Sequence, residues 1–294
     1  MTPMRHHLSL FVTLFLTASL SYQAAAQITV VNSSSVVSPV ADDPKTAVLS
    51  FNAGAAANKL IVQVSAEGQE VDSITYQGVA LTQAVAGTGR NLGIFYLDNP
   101  FTGGAADLAV TLGVGTSNGI AIGVVSVSGA APGVAAAALA DGARSVTLTV
   151  PVSGSFVVGG YAANGNGTIT LPGGNTAIYN STNIGSANAA ASYANAQTIG
   201  SKTYSYTDTG ALPVTSAAVF VPASAAPAIT GTSPAAGALA VPPDGNLVAT
   251  FSEAVVAGSG NIELRQSGGS SPVESFPVAT SPHITIAGSA DSNC

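Results

Sequence analysis

Polar and apolar residues alternate with a period of two along most of this chain. Ser145-Val146-Thr147-Leu148-Thr149-Val150 alternates without a fault, and Asp107-Leu108-Ala109-Val110-Thr111-Leu112 does so with Ala109 as the small outward residue. Successive side chains of a strand point to opposite faces, so the pattern puts one face in a core and the other in solvent. Val146, Leu148 and Val150, like Leu108, Val110 and Leu112, are therefore expected in the interior. Lys59 to Ala66, Ile74 to Tyr76, Leu92 to Leu97, Ile120 to Val127, Phe156 to Tyr161 and Ser216 to Val221 read as further strands. Turn signals separate them, among them Gly78, Asn99-Pro100, Gly103-Gly104, Pro132-Gly133, Asp141-Gly142 and Pro172-Gly173-Gly174. Many short strands with Gly, Pro and Asn between them predict an all-β fold, an antiparallel β-sandwich of jelly-roll type. Ala135 to Ala140 is the one helix-like spot. It is too short to stand alone as a helix and is read as a loop or a single turn.

The two ends differ from this pattern. Arg5, His6 and His7 form a short basic start, Leu8 to Leu20 is largely apolar, and Ala24-Ala25-Ala26 offers small residues to a signal peptidase. Residues 1–26 therefore read as a signal peptide cleaved before Gln27. The apolar run of about 13 residues is short of the ~20 that a spanning helix needs. Near the other end, Val219-Phe220-Val221 closes a strand and a Pro/Ala stretch follows from Pro222 to Ala228. The expected organisation is a β-sandwich domain over 27–222, a linker over 223–227, and a second domain over 228–294.

Composition narrows the function. Of 294 residues only 7 are Lys or Arg and 14 are Asp or Glu. Nucleic-acid binding needs clustered cations to neutralise phosphates, and seven scattered ones do not supply them. A hydrophobic fraction of 47% excludes a charged, disordered chain. The one Cys is Cys294, so no disulfide framework and no cysteine metal site is expected.

Candidate chemistry is sparse. Gly115-Thr116-Ser117-Asn118-Gly119 fits the G-x-S-x-G form, but Ile120 to Val127 after it is strand-like, where a nucleophile elbow needs a helix. Its base would have to be His283, the one histidine after the leader, in the other domain. Asp42-Asp43 and the trio Glu67, Glu70 and Asp72 lack the spacing of a calcium loop and read as solvated charges. Tyr161, Tyr179, Tyr193, Tyr204 and Tyr206 lie among Asn, Gly, Ser and Thr. Such a mixture suits a carbohydrate surface, or simply strands with half-buried tyrosines. The absence of Trp weighs against the sugar reading. No catalytic, cofactor-binding or metal-binding residue is assigned, and no cofactor is expected.

A resemblance sharpens the second domain. Ile229-Thr230-Gly231-Thr232-Ser233-Pro234 is followed by Val241-Pro242, by Leu247-Val248-Ala249-Thr250-Phe251-Ser252-Glu253-Ala254-Val255 and by Gly258-Ser259-Gly260-Asn261-Ile262. The order and spacing resemble the SbsA-type bacterial Ig-like domain of S-layer and other large surface proteins, from about residue 226 to 286. The resemblance implies a β-sandwich that ends incomplete at Cys294; from the residues alone, Leu247, Ala249 and Phe251 alternate inward on one strand. More loosely, Lys59 to Ser65, Val71 to Thr82, Leu92 to Pro100 and Gly119 to Gly129 resemble a β-sandwich module of secreted bacterial proteins. The expected function is that of a non-catalytic, secreted or cell-surface structural or adhesive protein with an Ig-like spacer. The alternative is a carbohydrate-binding module of a protein acting on surface polysaccharide. Expected partners are cell-surface polysaccharide or other surface proteins, with no nucleic acid and no membrane span in the mature chain.

Overall fold

The computed structural model describes residues 27–38, 46–68, 70–87, 92–113, 119–165 and 167–224, and then 229–235, 238, 242, 245–251, 261–265 and 271–285. It divides into two compact units, one spanning Ala24–Ser224 and one holding every described residue from Ile229 onward. The described residues are all-β, without a helix.

The first unit begins with nine strands: β1 (Thr29–Ser38), β2 (Thr46–Asn52), β3 (Lys59–Ala66), β4 (Val71–Tyr76), β5 (Val79–Ala80), β6 (Thr82–Val85), β7 (Leu92–Asp98), β8 (Ala105–Leu112) and β9 (Ile120–Ser128). They form two antiparallel sheets of order β1-β9-β3-β7-β6 and β2-β8-β4-β5. Seven more follow: β10 (Ala136–Asp141), β11 (Ser145–Val150), β12 (Ser155–Asn164), β13 (Thr176–Asn183), β14 (Ala187–Gln197), β15 (Gly200–Ser205) and β16 (Ala211–Phe220). Their sheets are β10-β16-β12-β14-β13 and β11-β15.

The second set repeats the topology of the first. Matching β10 to β1, β11 to β2, β12 to β3, β13 to β6, β14 to β7, β15 to β8 and β16 to β9 superposes the orders of both large sheets and both outer pairs. The place of β4 is taken by Thr170, which bridges Thr207 just beyond β15 as β4 pairs with β8. Backbone details repeat as well. Asn99 and Ala196, at the ends of β7 and β14, both adopt positive φ (52° and 50°). The sequence keeps a faint echo, Ser73-Ile74-Thr75-Tyr76-Gln77-Gly78 against Thr168-Ile169-Thr170-Leu171-Pro172-Gly173.

The two large sheets pack face to face. β3 lies on β12, β1 and β9 lie on β13, and, reciprocally, β10 and β16 lie on β6. That reciprocity is the signature of an isologous, two-fold-like contact, here between two halves of one chain. The result is four layers. Leu60, Val62 and Val64 of β3 join Ile74, Leu108 and Val110 in one core. On the other side of the same sheet Ile61, Ile94 and Val125 meet Phe156, Val158, Ala218 and Phe220. Beyond the second large sheet, Val157, Ala217 and Val219 meet Val146, Leu148 and Val150 of β11. The central strands thus bury both faces, which is why β3, β9, β12 and β16 are apolar or small almost throughout. Outer strands keep the strict alternation, with Leu108, Val110, Leu112, Val146, Leu148 and Val150 all buried as expected. A single two-sheet sandwich accounts for only half of this unit; it holds two sandwiches back to back.

Ala135 to Ala140 is not a loop or a helical turn. Ala136–Asp141 is the edge strand β10, in register with β16 from Ala136↔Val219 to Asp141↔Val214. An open sheet edge supplies backbone partners that outweigh alanine's helix preference. Ala136, Ala138 and Ala140 pack on the core under β11.

In the second unit, β17 (Ile229–Ser233) pairs with β18 (Val248–Phe251), and β19 (Asn261–Arg265) with β20 (Pro272–Pro277). The inward reading of Leu247, Ala249 and Phe251 does not hold here. All three are exposed, Leu247 at 49% and Phe251 at 37%. Burial needs a facing sheet, and among the described residues none covers β18.

Candidate functional site

The tyrosine-rich stretch lies in the second half of the large unit. Tyr161, Tyr179, Tyr204 and Tyr206 are buried, and Tyr193 is half-buried against Phe156, ring centroids 5.3 Å apart. Tyr161 and Tyr206 stack at 5.0 Å between the second large sheet and the β15 layer. The Tyr161 hydroxyl donates to Asp208 Oδ1 at 2.5 Å, and Arg144 Nε donates to the same oxygen at 3.0 Å. Tyr206 Oη lies 3.1 Å from Ser192 Oγ, which also accepts from Asn175 Nδ2. Tyr179 reaches across the face-to-face contact: its hydroxyl donates to Gln63 Oε1 and lies 2.9 Å from Ser65 Oγ. Gly123 and Gly160 make room for this cluster. A Cβ on Gly160 would lie 2.5 Å from Gln63 Nε2, and one on Gly123 3.0 Å from the Tyr179 ring. Tyr161, Tyr179 and Tyr206 are interior hydrogen-bonded rings, and their faces are not available for stacking on a sugar.

Burial raises all four phenols above the ordinary value of 10.0; Tyr204 is pushed up to about 12. For Tyr161, the Asp208 carboxylate adds to the rise. A phenol that ionises less readily folded than unfolded stabilises the fold below its ordinary value and loses that contribution as pH climbs to the raised one. Stability is therefore expected to fall steeply above pH ~10. A titration that follows tyrosinate absorbance together with circular dichroism should show these phenols ionising only as the β signal is lost. Smooth ionisation with the fold intact would contradict their burial.

The outer face of this half carries hydroxyls instead of rings. Cross-strand pairs Ser145↔Ser205, Thr147↔Thr203 and Thr149↔Ser201 all place hydroxyls outward on β11 and β15, with Thr147 and Thr203 Oγ1 2.8 Å apart. Beside it runs a cleft of about 190 Å³ whose lining includes Asn175, Gln197, Lys202, Thr203, Tyr204 and Ser205.

The other sequence candidates stay apart. Ser117, Asp42 and Asp43 lie outside the described residues. His283, in the second unit, is exposed and rests edge-on against Phe276 at 5.8 Å. Glu67 is engaged by Ser186, whose backbone N–H donates to Oε2 at 2.8 Å and whose hydroxyl donates to Oε1. Glu70 and Asp72 are exposed. Among the described residues no three His, Cys, Asp or Glu side chains converge as metal ligands.

Sequence reasoning missed the most enclosed charge. Lys59 is fully buried at the head of β3, directly in register with Asp98 at the end of β7. Its Nζ donates to Asp98 Oδ1 and, at 2.9 Å, to Gly133 O, while Gly133 N–H donates to Asp98 Oδ2 at 2.9 Å. The rings of Tyr96 and Phe220 stand 4.8 and 5.4 Å from Nζ. The available signal was a lysine opening an otherwise apolar strand, Leu60-Ile61-Val62.

All of this defines a layered, antiparallel β-protein with a weakly charged surface. Residues 223–291, under a quarter of the chain, match the bacterial Ig-like domain family, so the chain carries a bacterial Ig-like domain after the layered unit. No curated protein and no solved structure matches the chain.

Proposed function

We propose that this is an exported protein displayed at the bacterial cell surface, in which the layered unit is a structural or adhesive module and the Ig-like domain, of the SbsA type, is a spacer. The observation that carries this reading is the bacterial Ig-like domain at 223–291. The 7% charged composition and the hydroxyl- and amide-rich exterior fit a stable extracellular module better than an enzyme. In this reading residues 1–26 are removed before Gln27, 27–222 form the module, and 223–227 link it to the Ig-like domain at 228–294. No catalytic role is assigned to any residue. Among the described residues no helix is long and apolar enough to cross a membrane. Protease applied to intact cells should release peptides of this chain, the first beginning at Gln27. Recovery only from the cell interior, with Met1 in place, would overturn the proposal.

The outward hydroxyls of β11 and β15 favour a second reading, contact with a neutral surface polysaccharide. Hydroxyls and amides can exchange hydrogen bonds with sugar hydroxyls without a ring platform. Thr147→Val with Thr203→Val keeps the β-branched shape and removes two hydroxyls. Binding to the isolated cell-surface polysaccharide should weaken by about tenfold, since two hydrogen bonds are worth roughly 0.5–1.5 kcal/mol each. An unchanged affinity would remove this face from the reading.

A further inference from the structure

Lys59 is the one lysine or arginine that is fully buried among the described residues, and its amine faces the Asp98 carboxylate beside the rings of Tyr96 and Phe220. We propose that Lys59 and Asp98 become joined by an intramolecular amide between Nζ and Cγ, a covalent clamp between β3 and β7 that forms after folding. This goes beyond the surface-module reading and stands or fails separately from it.

Four observations converge on the pair. The two residues sit opposite each other in the β3–β7 register, so the sheet itself holds them together. Nζ contacts Asp98 Oδ1, and the rings of Tyr96 and Phe220 stand within 5.4 Å of Nζ. Gly133 fixes both partners through the two peptide groups that flank its Cα, its carbonyl accepting a hydrogen bond from Nζ and its N–H donating to Asp98 Oδ2. Burial lowers the Lys59 pKa, against the opposing pull of Asp98, and so favours the neutral amine that a nucleophile must be.

The step balances within the pair. One proton moves from Nζ to Oδ1, giving amine and carboxylic acid. The Nζ lone pair attacks Cγ, and the Gly133 N–H stabilises the negative charge that gathers on Oδ2, as an oxyanion donor does. The Cγ–Oδ1 bond breaks, the departing hydroxyl takes a second proton from nitrogen, and water leaves. No oxidant and no co-reactant is needed. Amide formation from an ion pair is slow in water, but a neighbour held in place by the sheet reacts at a very high effective concentration. The reaction has to happen only once in the life of each chain.

Peptide mapping of the full-length wild-type protein tests this directly. Trypsin cuts after Lys45, Lys59, Arg90 and Arg144, so an ion pair leaves 46–59, 60–90 and 91–144 as separate peptides. The amide blocks cleavage at Lys59 and yields 46–90 linked to 91–144, one water lighter than the sum. The linked species should account for most of the wild-type protein and vanish in Lys59→Arg, which keeps the charge but cannot form this bond. Separate peptides of full mass from the wild type would overturn the clamp. So would a linked species that persists in the arginine variant.

Discussion

Phe156→Ala should destabilise the Ala24–Ser224 unit by about 3–5 kcal/mol, the range for truncating a buried aromatic side chain. Phe156 is fully buried where the two large sheets meet, opposite Phe220 in the β12–β16 register and stacked on Tyr193. Its cluster draws on both halves, with Ile61, Ile94 and Val125 from the first and Val158 and Ala218 from the second. The cavity would open between two sheets that are each held on their far side by another layer, so little collapse is possible. Domain stability totals about 5–15 kcal/mol, so one such loss is a large part of it. Denaturant unfolding of the variant beside Val48→Ala, an exposed outer-face control at 53% exposure, measures the difference. The control should stay within about 0.5 kcal/mol of wild type. Equal, small effects would mean that the two sheets do not share a core.

Gly160→Val should be nearly as damaging, for the opposite reason. Gly160 lies on β12 facing Gln63, and its added Cβ would sit 2.5 Å from Gln63 Nε2 and 2.9 Å from the amide carbon. That amide is committed, donating to Val64 O at 3.0 Å and Ser65 Oγ at 3.1 Å and accepting from the Tyr179 hydroxyl. Overpacking a core costs about 1–3 kcal/mol. Displacing the amide leaves buried polar groups unpaired, at about 1–3 kcal/mol more. Gly160→Val combined with Gln63→Ala removes the colliding side chain and should recover part of the loss, although it leaves Tyr179 and Ser65 with fewer partners. A double variant worse than the sum of the single ones would show that the clash is not with Gln63.

What was legible in the sequence follows from where water lies. β8 and β11 each have one wet and one dry face, so Leu108, Val110 and Leu112, or Val146, Leu148 and Val150, announce themselves by alternation. β3, β9, β12 and β16 were readable as strands from their apolar runs. An apolar run alone does not say that both faces are buried, and the second sandwich follows only from that two-sided burial. The internal repeat was hidden because topology survives where side chains have changed: β7 reads Leu92 to Asp98 with bulky residues, while its counterpart β14 is mostly alanine. Small residues there let the second sheet approach Leu92 and Ala121 of the first, a packing reason that local pattern does not carry. β10 is not legible locally for a similar cause, since Ala136 to Ala140 has no intrinsic strand preference and takes its form from the edge of β16. The tyrosines drew notice by composition, but only the layering decides that they are buried. Lys59 and Asp98 are 39 residues apart, and nothing short of the β3–β7 register brings them together.

Amide hydrogen exchange on the full chain tests the four-layer arrangement most directly. The slowest exchange is expected in β3, β9, β12 and β16, the strands with a neighbour on both edges and a sheet on both faces. Faster exchange is expected in β5 and β10 at sheet edges and in β18, whose residues are exposed. If β12 and β16 exchange much faster than β3 and β9, or open in a separate step, the two halves are independent sandwiches and the shared core between them does not exist.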